Sequence, residues 1–138
     1  MGDTVIWLFA AIIVIGGVFL ALMALTRKPS THLNQQKYRE QWLKISNSIT
    51  SDMGTQELAI INADKLLDQA LRERGISGET MGERMKSAKT LFSNNDTIWT
   101  AHKLRNRIAH ENTANPNPRV MHKAMSAYKA ALKDIGAL

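Results

Sequence analysis

From Val5 to Leu25 the chain runs through 21 residues without a single charge. Wound as an α-helix, such a run spans about 30 Å, the thickness of a bilayer's hydrocarbon core. A secretory leader fits it poorly, because no Lys or Arg precedes it and no A-x-A site follows it. Asp3 lies before the run, whereas Arg27 and Lys28 come directly after it, so the positive-inside rule puts the C-terminal side in the cytoplasm. The expectation is a single-pass plasma-membrane anchor over residues 1–28, basic at its inner flank, with its N-terminus outside. Gly17 and Ala21 are spaced to let two such helices approach closely, a common arrangement. Met1-Gly2 does not continue as an acylation signal, since Ile6 stands where Ser or Thr is needed.

Residues 29–34 read as a polar linker, with Pro29 stopping the anchor helix. The remainder, 35–138, has room for one small core. Tyr38, Trp42, Ile45 and Ile49 recur at helical spacing and predict a helix over 35–49 with a buried stripe. After a break at 51–54, a second helix is expected over 56–74, closed by Gly75. Leu58, Ile61, Leu67 and Leu71 are its expected core side, with Asp64 and Asp68 a solvated edge. Thr80-Met81-Gly82-Glu83 has the form of a capping box and opens a third helix reaching about Ser93. Asp96 is the expected cap of a fourth, and Pro118 sits in the first turn of a fifth. Val120, Ala124, Ala127, Ala131, Leu132 and Ile135 are that last helix's expected core side. No stretch alternates like a strand. The fold class is all-α, a transmembrane helix followed by a four- to five-helix bundle.

Several chemistries lack their residues. There is no cysteine, hence no disulfide or thiolate metal site, and the four histidines show no metal-ligand spacing. No glycine-rich phosphate loop is present, and no cofactor or metal is expected. His32 and His122 read as surface residues.

Charge is unevenly spread. Residues 35–96 carry nine basic and nine acidic side chains. Residues 97–133 carry Lys103, Arg105, Arg107, Arg119, Lys123, Lys129 and Lys133 against Glu111 alone, a net +6. Such a patch attracts a polyanion such as RNA, or anionic lipid beneath the anchor. No aromatic series interleaves it, so a base-stacking platform is not indicated.

Within that patch lies Lys103-Leu104-Arg105-Asn106-Arg107-Ile108-Ala109-His110-Glu111. Ile98, Ala101, Leu104 and Ile108 form its apolar sector, and Arg105 falls inside that sector, where a charge needs a partner, a ligand or a cleft. Asn106 and His110 share a neighbouring face with His102. On an unbroken helix Arg105 and His110 point about 140° apart. They converge only if the helix frays or a second subunit contributes.

Arg105-Asn106-x-x-x-His110 resembles the R-x(4–6)-H signature of the HEPN superfamily, including the polar residue directly after the arginine. The likeness extends over the helical region from about 35 to 138. HEPN domains are all-helical and often dimeric. Many are metal-independent endoribonucleases, and others only bind. The resemblance implies a homodimer with a composite site, Arg105 on the phosphate, Asn106 orienting it or the histidine, and His110 moving protons. Lys103, Arg107 and Arg119 would bind the RNA. His102, outside the motif, is expected to matter less. Histidine suits the proton steps because it titrates near neutrality, and arginine suits the phosphate because its planar fork stays charged. The implied products are a 2′,3′-cyclic phosphate and a 5′-hydroxyl. The alternative is a non-catalytic module binding RNA, nucleotide or a protein partner at the membrane. Asn112 stands where some HEPN toxins carry a tyrosine that a partner nucleotidyltransferase modifies, so that mode of neutralisation is not implied.

Overall fold

A computed structural model describes residues 2–26, 32–111 and 116–138. The basic flank Arg27-Lys28, the stop at Pro29 and the departure at Asn112 lie outside the described residues. Among those described, the chain forms six helices and no strand: α1 (Gly2–Thr26), α2 (Gln35–Asn47), α3 (Met53–Glu73), α4 (Met81–Ser87), α5 (Asn95–His110) and α6 (Pro118–Asp134). Among the described residues α1 packs on no other helix, and its side chains from Thr4 to Leu22 are exposed. By length and composition that helix is able to cross a membrane.

The bundle is built around α3, which packs on α2, α4, α5 and α6, while α5 also packs on α6. Its inner face supplies Ala59, Ile60, Ala63, Leu66, Leu67, Ala70 and Leu71, all buried. The alanines let neighbouring helices approach closely. Around them stand Tyr38 and Trp42 from α2, Met85 from α4, Ile98 and Leu104 from α5, and Tyr128 and Leu132 from α6.

Each bundle helix opens on a polar cap whose side chain accepts a backbone N–H: Asn34, Asp52, Thr80, Asn94 and Asn117. Thr80 caps α4 as expected, accepting the Glu83 N–H at 3.2 Å, but the Glu83 carboxylate reaches one residue past the cap, to the N–H of Glu79 at 2.7 Å, rather than closing the box on Thr80. Gly75 closes α3 at φ 78°, and the Ile76 N–H returns to the Leu71 carbonyl at 2.9 Å. Pro118 takes the first turn of α6 as expected.

Several boundaries and faces differ from the sequence reading. α3 starts at Met53 rather than near 56, because Asp52 caps it. α5 starts one residue after Asn94, which is its cap, so Asp96 sits inside the first turn. α4 ends at Ser87, and Phe92 is buried from the following turn instead of from a helix. Leu58 and Val120 are exposed at 55% and 43%, contrary to their expected place in the core. Asp64, expected on a solvated edge, is 3% exposed.

Four tertiary ties gather helix ends at one pole. Lys37 pairs with Glu73 at 2.8 Å, and the Gln35 amide donates to the Gly136 carbonyl at 3.3 Å. Arg74 donates to the Ile135 carbonyl, and Asp134 accepts from both Ser93 N–H and Ser93 Oγ–H at 2.8 Å. The start of α2, the end of α3, the start of α5 and the end of α6 therefore meet there. The end of α5 and the start of α6 lie at the other pole, about 24 Å away along a 16-residue helix.

Candidate functional site

The α5 motif is a regular helix through His110, with the Glu111 N–H still bonded to the Arg107 carbonyl at 2.8 Å. Ile98, Ala101 and Leu104 are buried and Ile108 is half-buried, so the apolar sector faces the core as its spacing predicts. Arg105, inside that sector, keeps 26% of its side chain exposed and meets a counter-charge from α3. Its Nε lies 3.4 Å from Asp64 Oδ2. No hydrogen bond forms at that Nε, so the attraction is between charges.

Asp64 is the hub. Its Oδ1 meets His102 Nδ1 at 2.8 Å and accepts from the Tyr128 hydroxyl at 3.0 Å. A buried carboxylate is tolerated when hydrogen bonds and an opposite charge replace its water. Asp64 has both, drawn from α5 and α6. Burial first, and the negative charge of Asp64 second, push the Tyr128 hydroxyl far above its ordinary pKa, so it remains a donor.

The motif residues continue the network. Arg105 Nη1 donates to Asn106 Oδ1 at 3.0 Å, and Asn106 Nδ2 lies 3.3 Å from His102 Nε2. Trp99 meets the His102 ring edge-on at 5.9 Å. Arg105 and Asn106 are thus brought together with Asp64, His102 and Tyr128. Arg105 Nη2 has no hydrogen-bond partner among the described residues.

His110 is not part of this cluster. It is exposed and makes no hydrogen bond or ion pair to a described residue. Because the helix does not fray before it, His110 and Arg105 diverge by about 140° within one chain. Lys103, Arg107 and Arg119 are exposed, and Arg107 reaches Glu111 only at 3.5 Å. His122 is also exposed; with Lys123 it borders a groove of about 730 Å³ between α5 and α6. That groove is lined chiefly by Thr97, Thr100, Leu104, Ala124 and Ala127, and by neither Arg105 nor His110. No cluster able to hold a metal occurs among the described residues.

Asp64 and Tyr128 escaped the sequence reading. The signal that locates Asp64 is its register: it falls between Ile60 and Leu67 on the inner face of α3. No family model, no curated protein and no solved structure matches the chain.

Proposed function

We propose that this chain is a membrane-tethered, HEPN-like, metal-independent endoribonuclease that cuts RNA through attack of the 2′-hydroxyl and acts as a homodimer. The observation that carries the reading is the state of Arg105. It is held by Asp64 and Asn106 while Nη2, like the nearby exposed His110, has no hydrogen-bond partner among the described residues. An arginine so held can place two N–H groups on a phosphate without first paying to order itself.

The RNA brings its own nucleophile. Its 2′-oxygen bonds to phosphorus as the 5′-oxygen leaves, one proton being removed from the 2′-hydroxyl and one delivered to the leaving oxygen. His110 can serve one of those steps, and the copy from a second subunit can serve the other. The divergence of Arg105 and His110 within one chain makes the second copy necessary. α5 is the proposed seam. Lys103, Arg107 and Arg119 would hold flanking phosphates. A second reading, a non-catalytic RNA-binding module, is favoured by the same divergence if the chain acts as a monomer.

The test uses the full chain in detergent micelles with single-stranded RNA and EDTA. Cleavage ending in 2′,3′-cyclic phosphate is expected. His110→Ala should cost ~10²–10⁴-fold in rate, and Arg105→Ala on the order of 10²-fold or more. Equal cleavage by wild type and His110→Ala would mean a contaminating nuclease and end the enzyme reading. Binding without cleavage by a clean wild type would favour the module.

A further inference from the structure

The sequence places Asp64 on another helix, 38 residues before His102, and nothing in the motif names it. We infer that Asp64 is the positioning residue of the site: it holds Arg105 directly by charge and indirectly through a His102–Asn106 relay that fixes the amide on which Arg105 rests. This rests on the reading that Arg105 receives the RNA phosphate.

The relay has only one consistent set of hydrogens. Arginine has donors and no acceptor, so the Asn106 atom facing Arg105 Nη1 is its carbonyl oxygen, at 3.0 Å. The amide NH₂ then faces His102 Nε2 at 3.3 Å, and that nitrogen must accept. His102 is therefore the Nδ1–H tautomer, and its one N–H goes to Asp64 Oδ1 at 2.8 Å. Tyr128 donates to the same oxygen, which leaves Oδ2 facing Arg105. Each member fixes the next: the carboxylate sets the tautomer, the tautomer sets the amide, and the amide sets the guanidinium. Asp64 and His102 are 3% and 7% exposed, so they act from behind Arg105 rather than on substrate.

Asp64→Asn separates the two routes. Its carboxamide oxygen still accepts from His102 and Tyr128, while its NH₂ replaces the anionic oxygen facing Arg105. The experiment is nitrogen NMR on the full chain in micelles, labelled with ¹⁵N at histidine and arginine. In wild type, His102 should carry its proton on Nδ1 with Nε2 bare; an Nε2–H tautomer would overturn the relay and needs no variant to detect. In Asp64→Asn, the Arg105 Nε resonance should shift, since the anionic oxygen 3.4 Å from it is gone, while His102 keeps its tautomer. An unchanged Arg105 signal in folded Asp64→Asn would overturn the direct hold.

RNA cleavage supplies the readout that a purely structural role would not move. Misplacing a positioning group costs up to about 10²-fold in rate. Asp64→Asn should show that loss alone and no further loss when added to Arg105→Ala, because it acts through that residue. Independent, multiplying losses would overturn the positioning role. Should wild type cut no RNA, the ribonuclease reading falls while the NMR arms still decide whether Asp64 positions Arg105.

Discussion

The carboxylate of Asp64 and the ring of His102 meet at 2.8 Å in the interior of the bundle, joining α3 to α5 across 38 residues of chain. Tyr128 adds α6 to the same carboxylate. One polar knot therefore fastens three of the helices that build the core and ends at a motif arginine.

Removing the hub should be far worse than removing one spoke. Asp64→Ala leaves the Arg105 charge half-buried and strips His102 and Tyr128 of their acceptor. A loss of roughly 3–5 kcal/mol is expected for breaking a buried pair. Tyr128→Phe removes a single hydrogen bond and should cost about 1–2 kcal/mol. Chemical unfolding of the full chain in detergent checks the order; equal losses would show that Asp64 is not the centre.

Alkali should expose the tyrosines only on unfolding. Burial raises the hydroxyl pKa of Tyr128, and also that of Tyr38, where the nearby Glu73 adds to the effect. A group raised in the folded state leaves stability intact below its unfolded pKa, about 10 for tyrosine, and erodes it above. Ultraviolet titration should therefore show no phenolate until the fold gives way, then both at once. Smooth ionisation near pH 10 with helicity intact would contradict the burial of both.

Salt should report which basic side chains touch RNA. For single strands, each phosphate contact contributes about 0.7 to the slope of log affinity against log salt. Arg107→Ala, Arg119→Ala and Lys103→Ala should each lower that slope by roughly this amount. Lys133→Ala, at the opposite pole of α6, should leave it unchanged. A slope indifferent to the first three would place the RNA elsewhere.

The proposed topology, with the bundle on the cytoplasmic side, rests on the uncharged run and the basic residues behind it. In intact cells, protease added outside should spare residues 35–138. Their digestion without membrane rupture would reverse the proposed orientation.

Much of the fold was legible because local chemistry dictates it. The stripe of Tyr38 and Trp42, the stop at Gly75, the cap at Thr80 and the start at Pro118 all hold, each resting on residues within a few positions of one another. What failed needed distant neighbours. Leu58 has core chemistry, but it lies off the α3 face that the other helices cover. Asp64 has surface chemistry, yet its partners come from α5 and α6, and no spacing within α3 announces them. The motif fared likewise. Its apolar sector and the need of Arg105 for a partner were readable, whereas the identity of that partner and the central place of His102 were not.

The gathering of helix ends at one pole gives the site a direction. The chain enters the bundle at Gln35, clasped to Gly136, while His110 and Arg119 stand at the far pole. Eight residues, 27–34, join the anchor helix to α2; fully extended they reach at most about 28 Å. In the proposed tethered molecule, the pole that carries His110 and Arg119 is thus the one remote from the point where the chain enters the bundle, and the linker keeps the whole bundle near the bilayer. On the proposed ribonuclease reading, RNA held near the membrane would meet that pole more often than RNA in the bulk.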